Sequence, residues 1–511
     1  MACQKIMVNS LNTGKTIVEL KGNGLKTAWL KNLPKNDSLA ALETAYHHLA
    51  EMQSAMSLSD LLLVHDACRP PLTELTQRYT YPQKLAYEYE ARLWQVVHDY
   101  LNVKVDCYIT VNSQPLDNVS YKLVERCLLQ GLDSAAILAK WHYLRYQALP
   151  KGLWLKIHQL YQFSEKAILA SGGLSQMSRS LHNGRYLQAL MLDLLNHSNL
   201  LKSEIEMVNG WLAGWSLELV LDDSYNEKQH LFFVDFREDH GARRIRSFEL
   251  VHGCRYWNTD AVVALIDEMR QHLENGVEPA QFGKDLHISA ALRLTDHLMS
   301  AWSRIGYRRQ RRSEDREGVI KSALAEHGIS SVCQHVKNLA YSTTAIVPMP
   351  GEIQQNQDEH WRIKNESQYG IGAEVNTDSN RWLQPGILIA LDYALNPDMT
   401  VIGVVRSIQQ QSLQGRYVGI EVLSHTPSYV RLQRLVDKSG TVMKGVETLS
   451  ALYLSRDERR GLPATIIMAV LDFVQDSIYE LSTYELSHLV RLGLVIEQQD
   501  DWIRVAAILG E

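Results

Sequence analysis

The sequence predicts a multidomain α+β protein with an N-terminal all-α region, a small antiparallel α+β middle, a β-barrel and a C-terminal α/β tail. Three observations support this fold class. The chain has 511 residues, too many for one hydrophobic core. Its composition, 45% apolar and 22% charged, is that of globular domains. Apolar residues recur with helical spacing early in the chain and with strand-like spacing later.

Helical periodicity dominates the first domain, which we place at residues 1–210. Trp154, Ile157 and Tyr161 recur at i, i+3 and i+7 after a break at Pro150. The same kind of pattern predicts helices over 39–56, 84–101, 121–146, 153–169 and 185–195. The domain is therefore predicted to be a helical bundle or array, and it is a candidate surface for a protein partner.

Alternating apolar residues begin near residue 215 and mark a middle domain, placed at residues 211–302. The alternation over 215–221 and the short runs at 230–236 and 244–250 predict a small antiparallel sheet. Helical spacing then returns and predicts two helices, over 259–273 and 287–302.

Short strands separated by turn signals follow in the third domain, placed at residues 303–435. Strands predicted over 360–364, 387–391, 400–408 and 415–423 are typical of a small β-barrel. The fourth domain, residues 436–511, contains further strand-like runs and one predicted helix near 465–474.

The charge and the cysteine usage restrict the partners, the cellular location and the metal sites that the sequence predicts. The net charge of −6 disfavours nucleic acid and anionic membranes as partners. Residues Met1 to Asn9 lack the apolar core of a secretion signal, and no apolar stretch approaches the ~20 residues that span a bilayer. The six cysteines form no C-x-x-C pair. We therefore expect a soluble cytoplasmic protein without membrane insertion or a metal site.

A dense arginine segment precedes the predicted barrel. In Tyr307-Arg-Arg-Gln-Arg-Arg-Ser-Glu-Asp-Arg316, the pattern R-x-x-x-R occurs at Arg308 and Arg312 and again at Arg312 and Arg316, with Arg309 inside it. Planar guanidinium groups bind phosphate with two hydrogen bonds and stack on or hydrogen-bond guanine. The segment is therefore a candidate binding loop for a small guanine nucleotide.

A polar turn follows the predicted strand at 360–364. The segment Asn365-Glu-Ser-Gln-Tyr-Gly370 places an amide, a hydroxyl and a glycine at the spacing N-x-S-x-x-G. The amide and the hydroxyl can meet the edge of a base, and the glycine permits close approach of the backbone. The turn is a second candidate element of a nucleotide site.

Together, R-x-x-x-R before a barrel and N-x-S-x-x-G at a strand end resemble the PilZ domain, the bacterial receptor module for cyclic di-GMP. Segments 383–391, 403–406 and 417–421 look like later strands of that family in the usual order. The resemblance covers about residues 303–430. It implies a PilZ-like six-stranded barrel, cyclic di-GMP as the ligand and no further cofactor. It also makes the C-terminal tail a candidate second, degenerate barrel.

The resemblance also implies a set of ligand-binding residues, in which the arginines clamp guanine and phosphate while the turn contacts guanine on the barrel. The implied residues are Arg308, Arg312, Asn365, Ser367, Gly370, Arg309, Arg316 and Arg406. The arginine register stays open between the pairs 308/312 and 312/316, and we favour the first because no acid separates its members. The spacing between arginines and turn exceeds that of the family, which predicts an insertion with a helix over 330–339.

The predicted function is that of a cytoplasmic receptor that binds cyclic di-GMP and relays the signal to an unidentified protein partner through its helical region. No catalytic motif such as G-x-S-x-G or H-E-x-x-H occurs, so the protein is predicted not to be an enzyme. Three alternatives stay open. One is a ligand-free, degenerate PilZ scaffold protein, and another, less favoured, is a nucleic-acid-binding protein that uses its arginine cluster. The third is an enzyme that uses Asp239 and His240 or the C-terminal tail, for which a lone acid–histidine pair is weak evidence.

Overall fold

The computed structural model describes most of the chain, which divides into two compact units. One unit contains the N-terminal helices and a small sheet, and the other contains two barrels. The described residues are 27–80, 86–114, 119–170, 176–246, 253–277, 288–305, 317–342, 360–393, 396–412, 414–436, 448–483 and 487–509.

The N-terminal region is all-α, as predicted. Its helices are α1 Ser38–Met52, α2 Leu58–Thr80, α3 Tyr87–Asn112, α4 Tyr121–Tyr143, α5 Leu153–Ala170, α6 Gln176–Asp193 and α7 Lys202–Trp215. Helix α1 begins at a side-chain cap, since Asp37 accepts hydrogen bonds from the main-chain N–H groups of Leu39 and Ala40 at 3.1 and 3.0 Å. Helical periodicity therefore identified this region correctly.

Helix α2 is an element that the sequence does not predict. Pro70 and Pro71 lie inside it, and proline removes a main-chain donor and usually ends a helix. Buried residues on both sides of the prolines, including Leu61, Cys68 and Leu75, keep the helix packed. Tertiary burial here outweighs the local preference against a helix.

The strand predicted over 215–221 is wrong. Helix α7 runs to Trp215 and a 3-10 turn, Ser216–Glu218, follows it. The ring centroids of Trp211 and Trp215 lie 5.4 Å apart, the i, i+4 contact of a helix. The run over 215–221 contains only four alternating apolar residues. So few positions do not distinguish the two-residue period of a strand from the 3.6-residue period of a helix end.

The predicted antiparallel sheet is present in the middle region. Strands β1 Phe232–Asp235, β2 Arg243–Arg244 and β3 Cys254–Trp257 pair in the order β2-β1-β3. Helices α8 Asp260–Glu274 and α9 Ile288–Trp302 follow, close to their predicted ranges.

A closed, six-stranded antiparallel barrel follows and confirms the predicted PilZ-like architecture. Its strands pair in the order β4-β5-β6-β9-β8-β7, and β7 closes the barrel on β4. The bounds are β4 Glu317–His327, β5 His360–Ser367, β6 Gly370–Asn376, β7 Leu388–Tyr393, β8 Asn396–Gln410 and β9 Gly415–Ser424. The sequence does not predict β4 and β6, since exposed residues dominate β4 and glycines interrupt β6.

The C-terminal tail forms a second closed barrel. Its order is β10-β11-β12-β15-β14-β13, which repeats the connectivity of the first barrel strand for strand. The bounds are β10 Ser428–Val436, β11 Leu449–Leu454, β12 Thr465–Ala469, β13 Ile478–Ser482, β14 Ser487–Gln498 and β15 Trp502–Leu509. The helix predicted near 465–474 is wrong, because a short apolar run buried on both faces fits a strand as well as a helix.

Helix α10, Ile329–Ser342, was predicted as part of the insertion and packs between the barrels. Val332 and Val336 of this helix share one core with Leu388 and Ala390 of β7 and with residues of the second barrel. The Trp502 indole donates a hydrogen bond of 3.0 Å to the Gly386 carbonyl oxygen across the same boundary. The two barrels are thus joined by a common apolar core.

Among the residues that the structure describes, no helix combines the length and the apolar character needed to cross a bilayer.

Candidate nucleotide-binding site

The polar turn predicted from the sequence is a hairpin at the end of β5 and the start of β6. Ser367 closes β5 and pairs with Gly370, the first residue of β6, so Gln368 and Tyr369 form the two-residue turn. The Ser367 hydroxyl donates a hydrogen bond to the Gly370 carbonyl oxygen at 3.3 Å. The hairpin therefore fixes the backbone of the motif and leaves Ser367 half-buried.

Asn365 is held by residues that the sequence analysis did not single out. Its Nδ2 donates to the Tyr417 hydroxyl at 2.8 Å, across the strands β5, β6 and β9. A Cβ atom at Gly372, between them, would overlap the Tyr417 hydroxyl and lie 2.6 Å from Asn365 Oδ1. Gly372 therefore permits the contact that orients the Asn365 amide, and the repeated glycine in Gly370-Ile-Gly372 is the signal that marks it.

The arginine segment lies outside the described residues, and this includes Arg308, Arg309, Arg312 and Arg316. The strand that follows it is described, however. Glu317 pairs with Glu366 and Gly318 pairs with Asn365 in the β4–β5 ladder. The peptide bond after Arg316 therefore leads directly into the residues opposite the polar turn.

Arg406, a predicted ligand contact, forms ion pairs with two glutamates. Its guanidinium donates to Glu421 Oε2 at 2.8 Å and forms a two-point contact with Glu497 at 2.6 and 2.8 Å. Glu421 is on β9 of the first barrel and Glu497 is on β14 of the second. Burial lowers the pKa of Arg406, but the hydrogen bonds and charges of the two glutamates outweigh it and raise that pKa, so the cation is retained.

The negative charge of Glu366, a residue inside the motif, is compensated by its neighbours. Its carboxylate accepts a hydrogen bond from Lys321 Nζ and one of 3.2 Å from the Tyr393 hydroxyl. An uncompensated carboxylate next to Asn365 would repel a phosphate. The β4 lysine therefore keeps this part of the turn compatible with an anionic ligand.

Within the described part of the chain, no group of three or more His, Cys, Asp or Glu side chains is arranged to hold a metal ion. The cysteines that the structure describes, Cys68, Cys107, Cys127, Cys254 and Cys333, are buried free thiols.

The fold and this turn define the class to which the molecule is similar, namely multidomain proteins built on PilZ-like barrels. Residues 26–225 match the family described as cyclic-di-GMP receptor FimW, N-terminal domain. The match covers less than half of the chain and lies in the helical region, so it is separate from the barrel motifs. It confirms the resemblance to a cyclic di-GMP receptor. No curated protein matches the chain.

Proposed function

We propose that the protein is a cyclic di-GMP receptor whose ligand lies on the first barrel. In this proposal, Asn365, Ser367 and Gly370 contact guanine, and the arginines of the preceding segment bind guanine and phosphate. The family matched by the helical region supports this ligand, and so does the combination of motifs on the barrel. The role is binding rather than catalysis.

The observation that carries the proposal is the strand register between β4 and β5. Because Glu317 pairs with Glu366, the chain leaves the arginine segment at the polar turn. An extended chain advances about 3.4 Å per residue, so Arg312 lies within about 17 Å of Glu317 and Arg308 within about 31 Å. Both registers of the R-x-x-x-R pattern are therefore close enough along the chain to reach a ligand at the turn.

The proposed relay uses the short connection between helix α9 and the barrel. The end of α9 is firmly anchored, since the Trp302 indole donates to the Met191 carbonyl oxygen at 3.1 Å and Arg244 donates to the carbonyl oxygen of Ala301 at 2.9 Å. Arg304, which precedes the arginine segment by a few residues, donates to the Gln229 carbonyl oxygen at 2.7 Å. Ordering of the arginines by a ligand would then act on an anchored helix, and the helical region would present or withdraw a surface for a cytoplasmic protein partner.

Calorimetric titration of the full chain with cyclic di-GMP tests the proposal. Arg308→Ala or Arg312→Ala should weaken binding about ten-fold or more, since each removes a charge-assisted hydrogen bond, and should leave the melting temperature unchanged. Arg362→Ala is the matched control, because Arg362 is an exposed arginine on β5 that points to Glu374. Normal binding by Arg308→Ala together with weakened binding by Arg312→Ala moves the assignment to the pair 312/316, and normal binding by both variants would contradict either register.

Two further outcomes separate the alternatives. Absence of binding by the wild-type chain would indicate a ligand-free scaffold. Affinity for polynucleotides that rises with their length and falls steeply with salt would indicate a nucleic-acid binder, because a pocket for one small dinucleotide shows neither dependence.

A further inference from the structure

The loop between β11 and β12, residues 455–464, is an ordered element of the second barrel. Asp457 and Leu462 form a β-bridge with hydrogen bonds of 3.1 and 2.9 Å between their main chains. Gly461 adopts φ +66°, a left-handed conformation that suits glycine and closes the turn. The bridge holds the dipeptide Arg459-Arg460 at the tip of the loop.

This tip contacts the polar turn of the first barrel at both of its central residues. The Arg460 guanidinium lies over the Tyr369 ring, 3.9 Å from its centroid, and Arg459 donates a hydrogen bond to the Gln368 side-chain oxygen. Gln368 and Tyr369 are two of the three unspecified residues of N-x-S-x-x-G, the third being Glu366. The second barrel therefore reaches the motif at two positions that the motif leaves free.

The two arginines are held differently. Arg460 donates to Glu421 Oε1 at 3.0 Å, its main-chain N–H donates to Asp457 Oδ1 at 3.1 Å, and its guanidinium lies over Tyr369. These contacts fix the loop against the first barrel. Arg459 is exposed, and its contact with the motif is to the neutral amide of Gln368, which a phosphate oxygen can replace as an acceptor.

The connectivity of the two barrels shows that this contact joins two corresponding loops. Because the strand order repeats, the loop between β11 and β12 is the counterpart of the turn between β5 and β6. The second barrel thus carries arginines where the first carries N-x-S-x-x-G, and it directs them at the motif of its neighbour.

We propose that the loop at 455–464 completes the ligand site, with Arg459 binding a phosphate of the nucleotide and Arg460 acting as the positioning residue. The inference rests on the proposed function, since it requires an anionic ligand at the turn. It adds a cationic contact from the second barrel to the polar turn of the first.

The test is calorimetric titration of full-length variants with cyclic di-GMP. Arg459→Ala should weaken binding about ten-fold to a hundred-fold, the loss of one guanidinium contact to a phosphate. Arg456→Ala, which removes the same charge from an exposed position in the same loop, should change the affinity less than about two-fold. Hydrogen exchange should show protection of 455–464 on addition of the ligand.

Equal effects of the two substitutions would overturn the proposal, because they would show that the loop acts only through its general positive charge and not through a specific contact of Arg459. Tighter binding by Arg459→Ala would also overturn it and identify the loop as an obstruction. Ser367→Ala separates this inference from the proposed function. If the wild-type chain binds and Ser367→Ala weakens binding while Arg459→Ala does not, the inference on the loop alone fails; if the wild-type chain does not bind, both fail.

Discussion

Replacement of Arg406 by methionine should loosen the contact between the barrels. The side chain of Arg406 is 32% exposed and that of Glu497 17%, and their two-point contact connects β8 to β14. Methionine preserves the unbranched stem and removes the charge. The substitution therefore removes both guanidinium contacts of Glu497 and leaves the hydrogen bond that the Gln499 amide donates to Glu497 Oε1 at 2.8 Å.

Breaking a fully buried ion pair by removing one partner costs about 3 to 5 kcal/mol, whereas an exposed pair contributes about 0 to 1 kcal/mol. Arg406 is partly exposed, so solvent screening reduces the first figure. We expect Arg406→Met to lower the free energy of opening β8 and β14 by about 2 kcal/mol. A double-mutant cycle that combines Arg406→Met with Glu497→Gln should give a coupling energy of about 1 to 2 kcal/mol.

The stability that the Arg406–Glu497 pair contributes should decrease at acidic pH. Burial acts to raise the pKa of Glu497, but the hydrogen bonds and charge of Arg406, together with Gln499, lower it below its ordinary value of 4.5. A carboxyl group with a lowered pKa in the folded state stabilises the protein above the unfolded pKa. This contribution is lost as the pH falls through the folded pKa. The difference between wild type and Arg406→Met should therefore shrink below pH 4.5.

Hydrogen exchange of the full-length protein measures these opening free energies strand by strand. Arg362→Met is the control, because the Arg362 to Glu374 distance is 3.8 Å and the arginine side chain is 67% exposed; its effect should stay below about 0.5 kcal/mol. Unchanged exchange at β8 and β14, combined with weakened cyclic di-GMP binding, would refute the bridging role. It would return Arg406 to the ligand contact predicted from the sequence.

Three other predictions follow from separate parts of the molecule. Gly372→Ala should cost about 1 to 3 kcal/mol of stability and weaken cyclic di-GMP binding, whereas Gly318→Ala, where a Cβ meets open space, should do neither in unfolding and titration experiments. Burial lowers the pKa of His182 to about 4, so this group should reduce unfolding stability by up to about 1.4 kcal/mol per pH unit as the pH falls from 6.5 to 4, and His182→Gln should make the slope in acid titrations shallower by that amount, while buried His142 and His158, whose pKa values burial also lowers to about 4, keep their own contributions. Cyclic di-GMP should change hydrogen exchange at both 365–370 and 287–302, and a change confined to the barrel would refute the relay.

The sequence predicted those parts of the fold whose information is local. Helices with a regular apolar stripe, such as α5 and α9, were placed close to their observed bounds. Elements whose local signal conflicts with their environment were not, as with the prolines inside α2 or the short buried run in β12. The strand order of each barrel depends on non-local pairing, which periodicity cannot show.

The residues of the candidate site also divide into those with a local sequence signal and those that only the folded structure brings together. Asn365, Ser367 and Gly370 lie within six consecutive residues, so their spacing alone predicts them as candidate site residues. Tyr417 lies 52 positions from Asn365 in the chain, and its role appears only once β9 pairs with β6. Arg459 lies 91 positions from Gln368, and a single sequence contains no signal that joins them.

The two barrels meet through counterpart elements, and this places arginines of the second barrel beside the polar turn of the first. Strand β8 contacts its counterpart β14 through Arg406 and Glu497, and the β5–β6 turn contacts its counterpart loop through Gln368 and Arg459. Like elements meet in this manner across the interface of a twofold dimer. In a dimer of identical chains both turns must keep one sequence, whereas two barrels in one chain are free to diverge. If Arg459 binds the ligand as proposed, the arginines of the second turn are a specialisation toward the neighbouring site and not the decay of a binding motif.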